Sequence, residues 1–156
     1  MLSFLVLSAC SFNNQEEASE INNTKQAGVN YNNTNLDLSH QNLSSLNSDI
    51  FNMKNLESLD ISYNNISDTL PSQITNLQNL KVLKANNNNF TNLPAELSQI
   101  NSLEILDLSN NKLTGLPHEL GNLKNLKSFN LSGNDYSSQD LELIRQKLPN
   151  TEFILN

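Results

Sequence analysis

Leucine returns at a fixed interval along this chain. Aligned on the pattern L-x-x-L-x-L-x-x-N-x-L, residues 56–66, 80–90, 103–113 and 126–136 fit, and residues 33–43 fit more loosely. Successive units lie 23 or 24 residues apart. A unit of that length cannot bury its apolar face alone, so the units must stack and share one continuous interior. The first half of each unit alternates apolar and polar positions, the period of a strand with one buried face. It predicts Leu59 and Ile61, Leu83 and Ala85, Leu106 and Leu108, and Phe129 and Leu131 as inward columns on successive strands.

The second half has a different register. Leu46, Ile50 and Met53 are spaced by four and then three, as are Leu70, Ile74 and Leu77, then Leu93, Leu97 and Ile100, then Leu116, Leu120 and Leu123. That spacing places each triplet on one face of a helical turn packed back on the strand column. Pro71, Pro94 and Pro117 follow the first Leu of their triplets, where a fixed φ and a missing N–H are tolerated at a helix start. After residue 136 the pattern breaks. Residues 138–148 read as an amphipathic helix with Leu141, Ile144 and Leu148 on one side, and residues 151–155 as a short strand. Such a terminal element would cover the apolar edge of the last coil. The expectation is that it ends the chain, with no catalytic domain downstream.

The Asn at positions 64, 88, 111 and 134 falls where each unit leaves its strand and strands backbone polar groups without sheet partners. An amide side chain donates and accepts together, so Asn64, Asn88, Asn111 and Asn134 are expected to form a structural ladder between coils. Gln41 holds the position in the first unit and leaves the ladder there in doubt.

Over about residues 33–136 these units resemble leucine-rich repeats. The L-P-x-x-L-x-x-L form of the later units is similar to a bacterial and intracellular signalling class. The segment Asp68-Thr69-Leu70-Pro71, one residue longer, resembles the G-x-I-P class of plant receptors. The resemblance implies an α/β fold: a right-handed solenoid with parallel strands on the concave face, short helical turns on the convex face, and here a C-terminal helix-strand cap. It also implies a non-enzymatic scaffold that binds protein or peptide.

Composition narrows the reading. Hydrophobic residues make up 37% of the chain and Trp is absent, so leucine takes the place of an aromatic core. Net charge is −7, and the nine Lys and Arg residues are scattered. Nucleic acid is excluded as a partner, because phosphate binding needs a concentrated basic face.

The N-terminus carries a separate signal. Residues 2–7 are a short apolar run, too short to span a bilayer, and the tetrad Leu7-Ser8-Ala9-Cys10 resembles the lipobox of bacterial lipoproteins. Cys10 is the one cysteine in the chain, which leaves no disulfide framework or cysteine metal site to propose. The resemblance implies a signal segment at 1–9, lipidation of Cys10, and attachment to a bacterial envelope, at the outer membrane or cell surface, with the lipid as the membrane contact. Residues 10–28 are polar and cannot repay their ordering entropy, so they are expected to act as a flexible tether. Residues 29–156 form the repeat domain of about five units plus cap. No Lys or Arg precedes the apolar run, and an unprocessed N-terminus on a cytoplasmic or secreted protein stays open as the alternative.

No chemistry-bearing motif emerges. His40 and His118 lie in different units without Cys or paired carboxylates nearby, and Ser and Asp recur as part of the repeat. No nucleotide-binding or zinc pattern occurs. The expectation is no catalytic residue, no cofactor and no metal. Recognition is left to the outward strand face. Its central column reads Asp37, Asp60, Lys84, Asp107 and Asn130, flanked by Asn35, Ser58, Val82, Ile105 and Ser128 on one side and Ser39, Ser62, Asn86, Ser109 and Ser132 on the other. Val82 and Ile105 depart from the polar pattern, with Lys84 and Asp107 beside them and Tyr63 at a strand exit. An apolar centre in polar surroundings is how interface hot spots are composed, while strand propensity alone would also favour Val and Ile there. Tyr63, Val82, Lys84, Ile105 and Asp107 are therefore the candidate ligand-binding residues.

Overall fold

The computed structural model describes residues 31–155. The expected signal segment and tether, and Cys10, lie outside the described residues. Six short strands make one wholly parallel sheet: β1 (Asn35–Asp37), β2 (Ser58–Asp60), β4 (Val82–Lys84), β6 (Ile105–Asp107), β7 (Ser128–Asn130) and β8 (Glu152–Ile154), in that spatial order. Each unit contributes one strand, so spatial order follows chain order.

The middle residue of every strand in this sheet is apolar, and the middles stand in register. Leu36 pairs with Leu59, Leu59 with Leu83, Leu83 with Leu106, Leu106 with Phe129, and Phe129 with Phe153. From Leu59 to Phe129 this column has no exposed surface. Four turns of 3-10 helix (Ser48–Asn52, Ser72–Asn76, Ala95–Gln99 and His118–Asn122) line the other side of the core. Ile50, Ile74, Leu97 and Leu120 seat them on the column, all buried. Each such side chain contributes on the order of 1.5 to 3 kcal/mol. Leu46, in the first triplet, is only half-buried because it belongs to the first described coil. Pro71, Pro94 and Pro117 occupy the residue just before their turns, in extended conformation. They fix the direction of entry and lack an N–H that the turn would otherwise leave unpaired.

A second, two-stranded parallel sheet, β3 (Ser67–Thr69) with β5 (Asn89–Asn92), lies past the Asn positions. The repeat pattern gave no expectation of it. Its register shifts between Asp68 and Thr69, within the unit that is one residue longer.

The four amides share one bonding scheme. In Asn111, Nδ2 donates to the carbonyls of Leu108 (2.9 Å) and Ser109 (3.2 Å) in its own coil and of Ala85 (3.0 Å) in the preceding coil. Its Oδ1 accepts from the preceding coil's Phe90 N–H at 3.1 Å. Asn88 and Asn134 repeat this, accepting from Ile66 and Leu113. At Asn64 the oxygen accepts twice, from Gln41 (3.0 Å) and Leu43 (2.9 Å). Gln41 thus joins the lowest rung through its backbone, and its own side chain is not needed.

The cap follows the pattern read from the sequence. Helix α1 (Ser138–Lys147) begins with the Ser137 hydroxyl accepting the Asp140 N–H and buries Leu141 and Ile144. It is tied to the last coil by His118 Nε2 to Asp140 Oδ1 at 3.0 Å, by the Leu116 N–H to Asp140 Oδ2 at 3.2 Å, and by Lys124 Nζ to the Lys147 carbonyl at 2.8 Å. On the sheet side Phe153 meets Phe129 at 5.8 Å between ring centroids.

Replacing Asn111 with Ala strands four bonded groups in a buried position, so the denaturant midpoint should fall by the equivalent of about 1 to 3 kcal/mol; an unchanged midpoint would contradict the bridging role. The cap generates a pH prediction. The His118 hydrogen bond first, and the Leu116 N–H second, hold the Asp140 carboxyl below the ordinary aspartate value of 3.8. A carboxyl depressed in the folded state contributes stability that is complete above its unfolded pKa and disappears as pH falls through the folded one. Protection factors of the α1 amides, taken against the intrinsic exchange rate at each pH, should therefore fall on acidification below about pH 4, and Asp140→Asn should show lower protection at neutral pH and lose that acid step.

Candidate functional site

The parallel register sorts the outward side chains into rows that cross the strands. One row, just before the strands, reads Glu57, Lys81, Glu104, Lys127. The next reads Ser58, Val82, Ile105, Ser128, and beyond the buried column comes Asp60, Lys84, Asp107, Asn130. Within this face β4 carries Val82 between Lys81 and Lys84, and β6 carries Ile105 between Glu104 and Asp107. A basic segment lies beside an acidic one, and an outward aliphatic side chain opens each strand, Val82 in β4 and Ile105 in β6.

Ile105 is 41% exposed, and Val82, its register partner, is half-buried. Ile154 at the far edge is also exposed, but it stands among Asn130 and Glu152 without an apolar neighbour in its row. Around the central pair the charges are matched across strands. Lys81 meets Glu57 at 2.8 Å, Lys127 meets Glu104 at 2.7 Å, and Lys84 meets Asp60 at 3.3 Å. The Glu57 hydrogen bond raises the Lys81 pKa, and the Lys127 hydrogen bond lowers that of Glu104. All three pairs are solvent-washed and each contributes little to stability. What they fix is the lie of the long side chains around the aliphatic pair.

Lys84 and Asp107 are register partners, yet the Lys84 ion pair runs the other way, to Asp60. Asp107 Oδ1 instead accepts the Ser109 N–H at 2.9 Å and hydroxyl at 2.7 Å. The same bracket joins Asp60 to Ser62 and Asn130 to Ser132. The serine row, expected to be a solvent-facing flank, is thereby drawn inward, and Ser62 and Ser109 are buried. One oxygen of each acid serves the turn; the other is met by Lys84 at Asp60 and faces the surface at Asp107.

The structure thus brings Val82, Ile105, Lys84 and Asp107 together and places Tyr63 apart. Tyr63 lies five residues beyond Ser58, the register partner of Val82, on the order of 15 Å along the chain direction. It stacks on His40, with ring centroids 4.3 Å apart and planes 10° from parallel. Sequence reasoning set His40 aside as a plain surface histidine and missed this pairing. The repeat held the signal, since residues 40 and 63 occupy the same place in consecutive units. Asp60 was likewise taken for repeat filler, although its register alone puts it beside Lys84. Among the described residues no group of three His, Cys, Asp or Glu could hold a metal ion, and no helix is long and apolar enough to cross a membrane.

A family model described as "Leucine-rich repeat region" matches residues 1–150. The chain belongs to the leucine-rich repeat family. Members of this family are in general binding modules, commonly for proteins. A leucine-rich repeat protein of Leptospira interrogans is 38% identical over 76% of this chain with a TM-score of 0.72, and this chain spans 30% of that one. The leucine-rich repeat ectodomain of the receptor kinase SOBIR1 from Arabidopsis thaliana is 28% identical, with coverage of 77% and 66% and a TM-score of 0.63. A plant peptide hormone receptor, RGFR1, solved in complex with RGF2, is 30% identical over 77% of this chain and 20% of its own, with a TM-score of 0.65. No curated protein matches.

Proposed function

We propose that this leucine-rich repeat protein is a non-enzymatic module that captures a protein or peptide on its strand face, centred on Val82 and Ile105. The observation that carries the reading is the register of those two side chains on adjacent strands, with a lysine on either side of one and a carboxylate on either side of the other. An apolar centre supplies the binding free energy and the surrounding charges select the partner and its orientation. RGFR1, a plant peptide hormone receptor of the same fold, is solved in complex with RGF2, which supports the same class of ligand here. Lys84, held toward Asp60, and Asp107, with one oxygen taken by Ser109, frame the pair with opposite charges.

The module is displayed on a bacterial envelope through a lipid on Cys10. The Leu7-Ser8-Ala9-Cys10 tetrad supports this, as do the similarity to a Leptospira protein and the use of the same fold as a receptor ectodomain. A diacyl or triacyl anchor at about 0.8 kcal/mol per buried methylene would hold it stably.

Crosslinking capture from intact cells tests the surface. The double variant Val82→Asp/Ile105→Asp should stay folded, with an unaltered far-UV spectrum, and lose the partner that the wild type captures; capture that survives both changes places the site elsewhere. Metabolic labelling with palmitate tests the anchor: label should enter the wild type and vanish in Cys10→Ser. Label that persists without the thiol, or never enters the wild type, rules the lipoprotein out.

A further inference from the structure

Five equivalent residues close the strand segment of successive units: His40, Tyr63, Asn87, Asn110 and Gly133. All five have positive φ, at 57°, 54°, 55°, 52° and 72°. Asn and Gly take up that left-handed conformation at little cost, and at Gly133 nothing larger fits, since an added Cβ would lie 2.3 Å from Asn110 Oδ1. His is tolerated there, but a bulky ring such as Tyr is a real outlier. Strain of this kind persists where the surroundings or a function require it. Burial does not require it at Tyr63, which is 51% exposed. The repeat accommodates Asn at this place in two later units, so the fold does not need the ring.

What the ring does is stack flat on His40, itself exposed, at the end of the described solenoid where β1 is the edge strand. Three residues before His40, at the end of β1, stands Asp37. Its Oδ1 accepts the Ser39 N–H at 2.9 Å, and it has no ion-pair partner among the described residues. Its neighbour in register, Asp60, is engaged by Lys84. A flat aromatic pair therefore lies at this end of a chain with net charge −7, and three residues before His40 stands an exposed carboxylate that forms no salt bridge among the described residues and is reached by the charges of Lys84 and His40.

We propose that His40, Tyr63 and Asp37 form an anchoring site for an arginine side chain of the captured peptide. The proposal rests on the strand face being a peptide-binding surface, and it names a second point of contact on it. Guanidinium matches this composition better than ammonium. It is planar, weakly hydrated, stacks on aromatic faces, and offers parallel N–H donors to a carboxylate. Lysine supplies the charge without the plane. Since Tyr63 is on the order of 15 Å from the aliphatic pair along the chain direction, arginine and apolar anchor are read at separate places.

The test is an NMR titration of the full chain with N-acetyl-arginine methylamide, with N-acetyl-lysine methylamide as the equally charged control. The arginine probe should shift the His40 and Tyr63 ring signals saturably, with the lysine probe roughly two- to fivefold weaker, as loss of ring stacking implies. Tyr63→Asn and Asp37→Asn should each weaken the arginine response by a similar factor. Tyr63→Asn should leave the denaturation midpoint unchanged or raised, because Asn holds that conformation without strain. The Val82→Asp/Ile105→Asp variant should keep the full arginine response. Absence of ring shifts, equal response to the lysine probe, or a lower midpoint in Tyr63→Asn would overturn the proposal. Any of these seen together with partner capture through Val82 and Ile105 would remove the arginine site and leave the peptide-binding surface standing.

Discussion

A coil that leaves its strand every 23 or so residues must find partners for the backbone groups it exposes at the bend, inside a stack that excludes water. The Asn amide meets that constraint. Each one ties two carbonyls of its own coil to a carbonyl and at least one N–H of the coil before it, so folding one coil prepares the bonding site for the next. No apolar residue could do this, and a carboxylate could accept but not donate. The leucine column supplies most of the free energy, yet leucines alone would allow coils to slide. The amides fix the distance and phase between coils, and this in turn sets which surface side chains become neighbours.

The surface rows follow from that phase. Lys84 meets Asp60 because the register puts residue 84 beside residue 60, and the exchange of Lys81 with Glu57 has the same origin. Alternating charge along a row lets neighbouring coils attract one another, where a row of like charge would repel at about 4.8 Å spacing. Such exposed pairs add little to stability. Their effect is to hold the long side chains across the strands, so that the rows on either side of Val82 and Ile105 carry paired charges.

Most of the architecture was legible because it repeats. The inward columns, the turn triplets and the cap over residues 138–155 all came from spacing, and Asn64, Asn88, Asn111 and Asn134 from the need for a bifunctional side chain at a bend. The β3 and β5 pairing was not legible, since Ser67 and Asp68 carry no strand pattern and gain their partners only once the coils are stacked. Nor was the inward turn of Ser62 and Ser109, which depends on the neighbouring Asp60 and Asp107 accepting their hydroxyls. At the surface the sequence marked Val82 and Ile105 as departures from the pattern, but it grouped Tyr63 with them. Tyr63 and Val82 belong to adjacent coils and differ in height along the strand direction, a coordinate that a column-by-column reading discards.

A solenoid with a uniform interior has little freedom to encode recognition in its core. Changing Leu59 or Asn88 alters how coils stack and so moves the whole surface, whereas changing an outward residue leaves the scaffold as it was. Selection for binding can therefore act on the outward positions almost independently, and the informative residues are those that the scaffold does not ask for. Ile105 leaves 41% of its surface to water, and Tyr63 takes up a backbone conformation that Asn or Gly would adopt more easily. Neither side chain is demanded by the stacking of the coils. Positions that the scaffold leaves open in this way are the ones a binding partner can act on without disturbing the columns behind them.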